Sequence, residues 1–253
     1  MRDLQLQQTI SKRLAPIAGE DAFLEAGFLL DHAAAHPDSD METMIHRRLT
    51  GEPLQYVLGE WEFFGLPFLT DHRALIPRPD TEILVETALQ LLCEGDRVLD
   101  LCCGSGCIGI ALAVHTHIEL TSADISERAL SLTAENAEKN GVALHTVQSD
   151  LFATIDEAFD MIVCNPPYLN AEEMRSLDAS LLYEPQNALD GGPDGLDFYR
   201  RIAKEYGAYL RHGGYLLLEI GYTQEQAVCD LFAGARIIRD YGDRPRVAVI
   251  QKI

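Results

Sequence analysis

From Arg97 onward the chain alternates short apolar runs with amphipathic stretches, and few folds satisfy such an alternation. Residues 97–101, 118–123, 142–147, 159–164 and 215–220 read as strands by length and β-branched content. Helical patterns separate them: one after Gly106, one from Ser126 to the stop at Asn140-Gly141, and one over 197–211 ended by Gly213-Gly214. Parallel neighbours need crossover connections, so strands and helices in turn predict a doubly wound parallel sheet. Residues 215–220 are apolar on both faces and belong at its centre. A last helix over 225–232 precedes runs at 235–238 and 246–250, whose short joint predicts an antiparallel pair. The expectation is a seven-stranded, mainly parallel sheet.

Ahead of it, the first 60 residues carry only helical patterns. Leu4, Leu6, Ile10, Leu14 and Ile17 mark one apolar face, and Phe23, Leu24, Phe28, Leu29 and Leu30 mark a second after Gly19. Met41, Met44, Ile45 and Leu49 mark a third that stops at Gly51. Residues 1–60 are therefore expected to form a small helical domain. Aromatic runs either side of Gly65 predict a hairpin, and Pro77 and Pro79 stiffen the segment after it, so 61–79 reads as a connector. The larger domain is expected over 80–253, opening on a helix to Leu92 with Asp80 as its N-cap. A chain of 253 residues has room for both.

Composition narrows location and partners. No apolar run approaches the roughly 20 residues that span a bilayer, and residues 1–8 lack the apolar core of a signal peptide. Six irregularly spaced cysteines suit a reducing compartment, so a cytoplasmic location is expected. The formal net charge is −20, with an acidic excess in both expected domains. Phosphate backbones are bound through Lys and Arg, which disfavours a direct nucleic-acid substrate. A basic protein partner fits better, although solubility alone would account for the charge.

The chemistry gathers where strands end. Asn165-Pro166-Pro167-Tyr168 cuts off the fourth strand, because proline donates no N–H and fixes φ. It leaves a rigid loop carrying one carboxamide and one aromatic ring, at the end of a sheet where ligands bind. After the first strand comes Asp100-Leu101-Cys102-Cys103-Gly104-Ser105-Gly106, whose glycines allow a tight turn and close ligand approach. With Gly109 it also satisfies a dinucleotide pattern. Asp100 tips the balance: a fixed acid repels a pyrophosphate and suits a cationic amino-acid ligand such as S-adenosylmethionine. Asp124 ends the second strand, where an acid takes ribose hydroxyls. Asp150 and Leu151 follow the third, placed to receive the adenine amine and cover its ring. Any one acid alone could be a capping or solvated carboxylate; three at successive strand ends point to a site. Cys102, Cys103 and Cys107 have no second Cys or His pair at ligand spacing, so no metal is expected.

Together the glycine loop, the Asp124 spacing and Asn165 to Tyr168 resemble a class I S-adenosylmethionine-dependent methyltransferase acting on amino or amide nitrogen, a Rossmann-like fold. Further stretches resemble one family over nearly the whole chain: Gly51 to Tyr56, Pro77 to Glu82, Glu184-Pro185 with Ala188-Leu189, Gly191 to Asp197, and Glu219 to Gly221. That family is the N5-glutamine methyltransferase of peptide chain release factors. The resemblance implies methylation of the glutamine in the Gly-Gly-Gln motif of release factors. By the same resemblance Asp100, Cys102, Cys103, Gly104, Ser105, Gly106, Asp124, Asp150, Leu151 and Asn165 hold the cofactor, and Arg78 and Glu82 shape the substrate entrance. Cys102-Cys103 stands where this family more often has Gly-Thr, and a cysteine there is similar to the sibling family that methylates a ribosomal protein. That sibling and a nucleic-acid amine methyltransferase are the alternatives. The Asn165 oxygen and the Pro166 carbonyl are expected to accept the two N–H groups of the substrate amide, with the Tyr168 ring packed on its face.

Overall fold

The computed structural model describes residues 3–253. The chain opens with helices α1 (Leu4–Ala18), α2 (Ala22–Ala35), α3 (Met41–Leu49) and the short α4 (Leu54–Leu58). Asp3 and Asp40 start α1 and α3 by accepting backbone N–H groups of the first turn. The apolar cluster of these helices is Ile10, Leu14, Ala22, Ala26, Leu29, Met44, Ile45, Leu54 and Val57. It differs from the expected faces. Leu4, Leu6, Ile17, Phe23, Leu24 and Leu49 are exposed. Helix α2 turns Ala22 and Ala26 inward, which leaves its bulkier Phe23 and Leu24 outside.

The hairpin forms as expected, from β1 (Glu60–Phe63) and β2 (Leu66–Leu69), with Gly65 at φ +73° in the turn. Its Phe63 and Phe68 rings meet edge to face at 6.0 Å and join the core of the large sheet. Asp80 does not cap the next helix. Pro79–Thr81 is a 3₁₀ turn, α5 runs only over Glu82–Leu89, and the Asp80 carboxylate pairs with Arg246 at 2.9 Å.

The remaining elements are β3 (Arg97–Leu101), α6 (Cys107–His115), β4 (Glu119–Asp124), α7 (Glu127–Lys139), β5 (His145–Gln148), β6 (Phe159–Cys164), α8 (Ala171–Arg175), α9 (Asp197–Tyr209), β7 (Leu210–Glu219), α10 (Glu225–Leu231), β8 (Arg236–Arg239) and β9 (Pro245–Gln251). They build a seven-stranded sheet of order β5-β4-β3-β6-β7-β9-β8, in which β9 runs against both neighbours and the first five strands are parallel. Alternate residues serve opposite faces: Val98, Met161, Val163, Leu217 and Val249 one layer, Leu99, Ile162, Leu216, Leu218 and Ile250 the other.

Two boundaries depart from the sequence expectation. Helix α9 stops at Tyr209, and Gly213-Gly214 lies inside β7, where Gly214 has no room for a Cβ: one would come within 2.5 Å of the Asp160 carbonyl oxygen. Strand β5 begins at His145 because Val142 N–H turns back to the Ala137 carbonyl and closes α7. The strand order reverses between β3 and β6, which is the switch point where such sheets hold ligands. Among the described residues no helix is long and apolar enough to cross a membrane.

Candidate active site

At the carboxyl ends of the strands around that switch point lies a cavity of about 390 Å³. The turn after β3 forms its floor. Cys102, Gly104 and Gly106 take φ of +59°, +56° and +78°, and a Cβ at Gly106 would meet Thr133 at 2.7 Å, so this position needs glycine. The Asp124 carboxylate ties the turn to β4: Oδ2 accepts Gly104 N–H and Oδ1 accepts Ser126 N–H, each at 2.9 Å. Burial pushes the Asp124 carboxyl above its ordinary range despite these bonds. Each oxygen keeps a further lone pair for a hydroxyl in the cavity.

Cys102, Cys103, Gly104, Ser105, Asp124, Asp150, Leu151, Asn165, Pro167 and Arg78 all line the cavity. Leu151 is buried with φ +52°, and the Asp150 carboxylate pairs with Arg201 at 2.8 Å on the rim. Five expected residues stand elsewhere. Gly106 is the N-cap of α6, one step behind the lining. Asp100 is wholly buried under the turn, where Oδ2 accepts Gly109 N–H at 3.0 Å. Its side chain points at α6, and Gly109 has no Cβ because one would lie 2.9 Å from that oxygen. Asp100 therefore supports the turn from beneath and is absent from the cavity wall. Glu82 accepts Phe64 N–H at 2.8 Å, pinning the hairpin turn away from any entrance.

Pro166 and Tyr168 also stand behind the lining. The Tyr168 ring packs into the apolar layer with Leu216 and Leu218, and its hydroxyl faces Glu219 Oε1 at 3.4 Å. Contacts to the backbone hold this part of the loop. Gly191 N–H donates to the Leu169 carbonyl at 2.8 Å, and Gln224 Nε2 donates to the Tyr168 carbonyl at 3.0 Å. In this structure the ring expected on a substrate face is packed against the sheet, outside the cavity wall.

Several lining residues were not expected in the site. Ala74, Leu75, Ile76 and Pro77 of the expected connector wall the cavity opposite the glycine turn. They are held by Tyr56 Oη, which donates to the Ala74 carbonyl at 2.8 Å, and by Glu184, which accepts Ile76 N–H at 3.0 Å and pairs with Arg78. Glu184 is buried although it belongs to a long loop. Only its place in a resembling stretch pointed to it. Thr81, Ile125, Phe198 and Arg201 also line the cavity.

The Methyltransferase small domain family matches residues 79–194. A methyltransferase from Pyrococcus furiosus has the same fold, with a TM-score of 0.58 at 18% identity over 76% of this chain and 91% of that one. Sheet order, glycine turn and strand-end acids accordingly define a Rossmann-like, S-adenosylmethionine-dependent methyltransferase. Two release factor glutamine methyltransferases are similar along most of the chain. The one from Geobacter sulfurreducens is 42% identical over 75% of this chain and 68% of its own length. The one from Thermodesulfovibrio yellowstonii is 37% identical over 84% and 81%. The chain belongs to the release factor glutamine methyltransferase family. It spans between 52% and 81% of the length of such relatives.

The cavity fits S-adenosylmethionine. A Cβ at Gly104 would meet nothing closer than 3.9 Å, so the turn is open on the cavity side, and the volume falls in the range of small-molecule sites. Asp124 would hold the ribose hydroxyls, and Ile125, Leu151 and Asp150 the adenine.

Proposed function

We propose that this enzyme methylates the side-chain amide nitrogen of the glutamine in the Gly-Gly-Gln motif of class I peptide chain release factors. The observation that carries the reaction class is the Asn165 carboxamide. Its Nδ2 donates to Thr81 Oγ1 at 3.4 Å, which leaves Oδ1 as the acceptor for a planar N–H group in the cavity. The acceptor is taken from the family, whose named members are release factor glutamine methyltransferases.

An amide nitrogen is a poor nucleophile because its lone pair is delocalised into the carbonyl. When bound, S-adenosylmethionine supplies a methyl group already activated on a sulfonium sulfur. The protein therefore orients the nitrogen and localises its lone pair. Asn165 Oδ1 accepts a substrate N–H, and Pro166 and Pro167 keep that acceptor in place. Orientation of this kind is worth roughly 7–11 kcal/mol in favourable cases. The methylated amide cation is acidic enough to lose its proton without a dedicated base.

Residues 1–60 would recognise the protein acceptor, and exposed Leu4, Leu6, Phe23 and Leu24 supply apolar contacts there. An acidic molecule of net charge −20 suits a basic protein better than a nucleic acid, and the acceptor places the reaction in the cytoplasm. The test is labelled methyl transfer to purified release factor, ribosomal protein and DNA side by side, with Asn165→Ala as the control. Label on the release factor glutamine is expected, lost in Asn165→Ala while S-adenosylmethionine still binds. Label on DNA or ribosomal protein alone, or full activity in Asn165→Ala, would overturn the proposal.

A further inference from the structure

Behind the catalytic loop sits a buried carboxylate that the proposed reaction does not touch. Glu219 ends β7 and is 2% exposed. Its Oε2 accepts the Thr81 hydroxyl at 2.7 Å, and its Oε1 faces the Tyr168 hydroxyl at 3.4 Å. Thr81, equally buried, receives Asn165 Nδ2 on the same oxygen. Burial pushes the Glu219 carboxyl up to about 7, against the Thr81 hydroxyl and Arg246, which favour its charged form, and Arg246 is itself held by Asp80 at 2.9 Å.

The ionised form of Glu219 sets the polarity of this chain. An ionised carboxylate can only accept, so above about pH 7 Thr81 gives its single hydroxyl proton to Glu219. The Thr81 oxygen then presents only lone pairs to Asn165. Of the two ends of the Asn165 carboxamide, only the NH₂ group satisfies that neighbour, and Oδ1 is left on the opposite side. Without the relay either end could turn toward the substrate, and the flipped form would set one NH₂ group against another.

We propose that Glu219 and Thr81 are positioning residues that fix which end of the Asn165 carboxamide faces the substrate nitrogen. The inference rests on the function proposed above, because it assigns the purpose of an acceptor oxygen. It also explains why a strand end, a 3₁₀ turn and the catalytic loop converge: one supplies charge, one a hydroxyl, one the carboxamide.

The experiment compares the full chain with Thr81→Val, Thr81→Ser and Glu219→Gln. Glu219→Gln can place an NH₂ group on Thr81, which reverses the chain. Expected in Thr81→Val and Glu219→Gln is a fall in kcat of about tenfold or more, with acceptor KM and S-adenosylmethionine Kd within about threefold. Thr81→Ser, which keeps the hydroxyl, recovers most of that loss. If Thr81→Val does not fold, Thr81→Ala removes the same oxygen. The side-chain NH₂ resonance of Asn165, identified by its loss in Asn165→Asp, should shift in Thr81→Val and hold in Thr81→Ser. Equal kcat in the Val and Ser variants, or cofactor binding lost in step with kcat, would overturn the proposal. Should the wild type methylate no release factor, the function fails, while the Asn165 resonance still decides whether Thr81 orients the carboxamide.

Discussion

Asp100 supports the glycine turn from beneath the cavity. It is fully buried, and one oxygen, Oδ1, has no hydrogen-bond partner among the described residues. Burial pushes its carboxyl up to about 7, with Asp124 adding to the shift and Gly109 N–H opposing it. The folded state therefore keeps the proton up to about pH 7, whereas the unfolded chain releases it near pH 4. Between those values the folded state binds more protons, so this group's contribution is full below the lower value and is lost as pH rises through the upper one. Asp100→Asn cannot ionise. Its urea midpoint should fall less than that of the wild type between about pH 5 and 8, and equal slopes would refute the assignment.

At the scale of elements, the catalytic loop is gripped from outside the sheet. The stretch from Gly191 to Asp197 wraps the Tyr168 backbone, and Gln224 at the start of α10 bridges the Tyr168 and Gly195 carbonyls. A Cβ on Gly191 would lie 2.7 Å from Tyr168 Cα, a backbone atom that cannot swing aside. Gly191→Ala should thus cost about 1–3 kcal/mol in denaturant unfolding, as overpacking does. By displacing the loop it should also lower kcat more than it weakens cofactor binding. A variant with wild-type stability and kcat would show that the clamp is slack.

Over the whole molecule the dominant property is charge, with 40 acidic residues against 20 basic. A field of that size steers a basic partner and is screened within about 8–10 Å at physiological salt. The acceptor KM should accordingly rise several-fold between about 0.05 and 0.3 M salt, with S-adenosylmethionine affinity nearly unchanged. A salt-indifferent KM would assign recognition to the exposed apolar side chains of α1 and α2.

Local pattern alone determined a great deal. Strand and helix order, the antiparallel closing pair, the hairpin, and the loops bearing Asp124, Leu151 and Asn165 all come from periodicity and from glycine and proline, which act within a few residues. Where the pattern is ambiguous, tertiary structure decided. The inward face of α2 and the end of α9 depend on which surface approaches, whereas the start of β5 is set by the bond that closes α7, too fine a detail for periodicity to show. The same holds for the site. Asn165 and its prolines were visible because a strand end is local. Thr81 and Glu219 are 84 and 54 positions from Asn165, and they reach it only once β6, β7 and the 3₁₀ turn are laid side by side. The sequence names the carboxamide; only packing settles which way it faces.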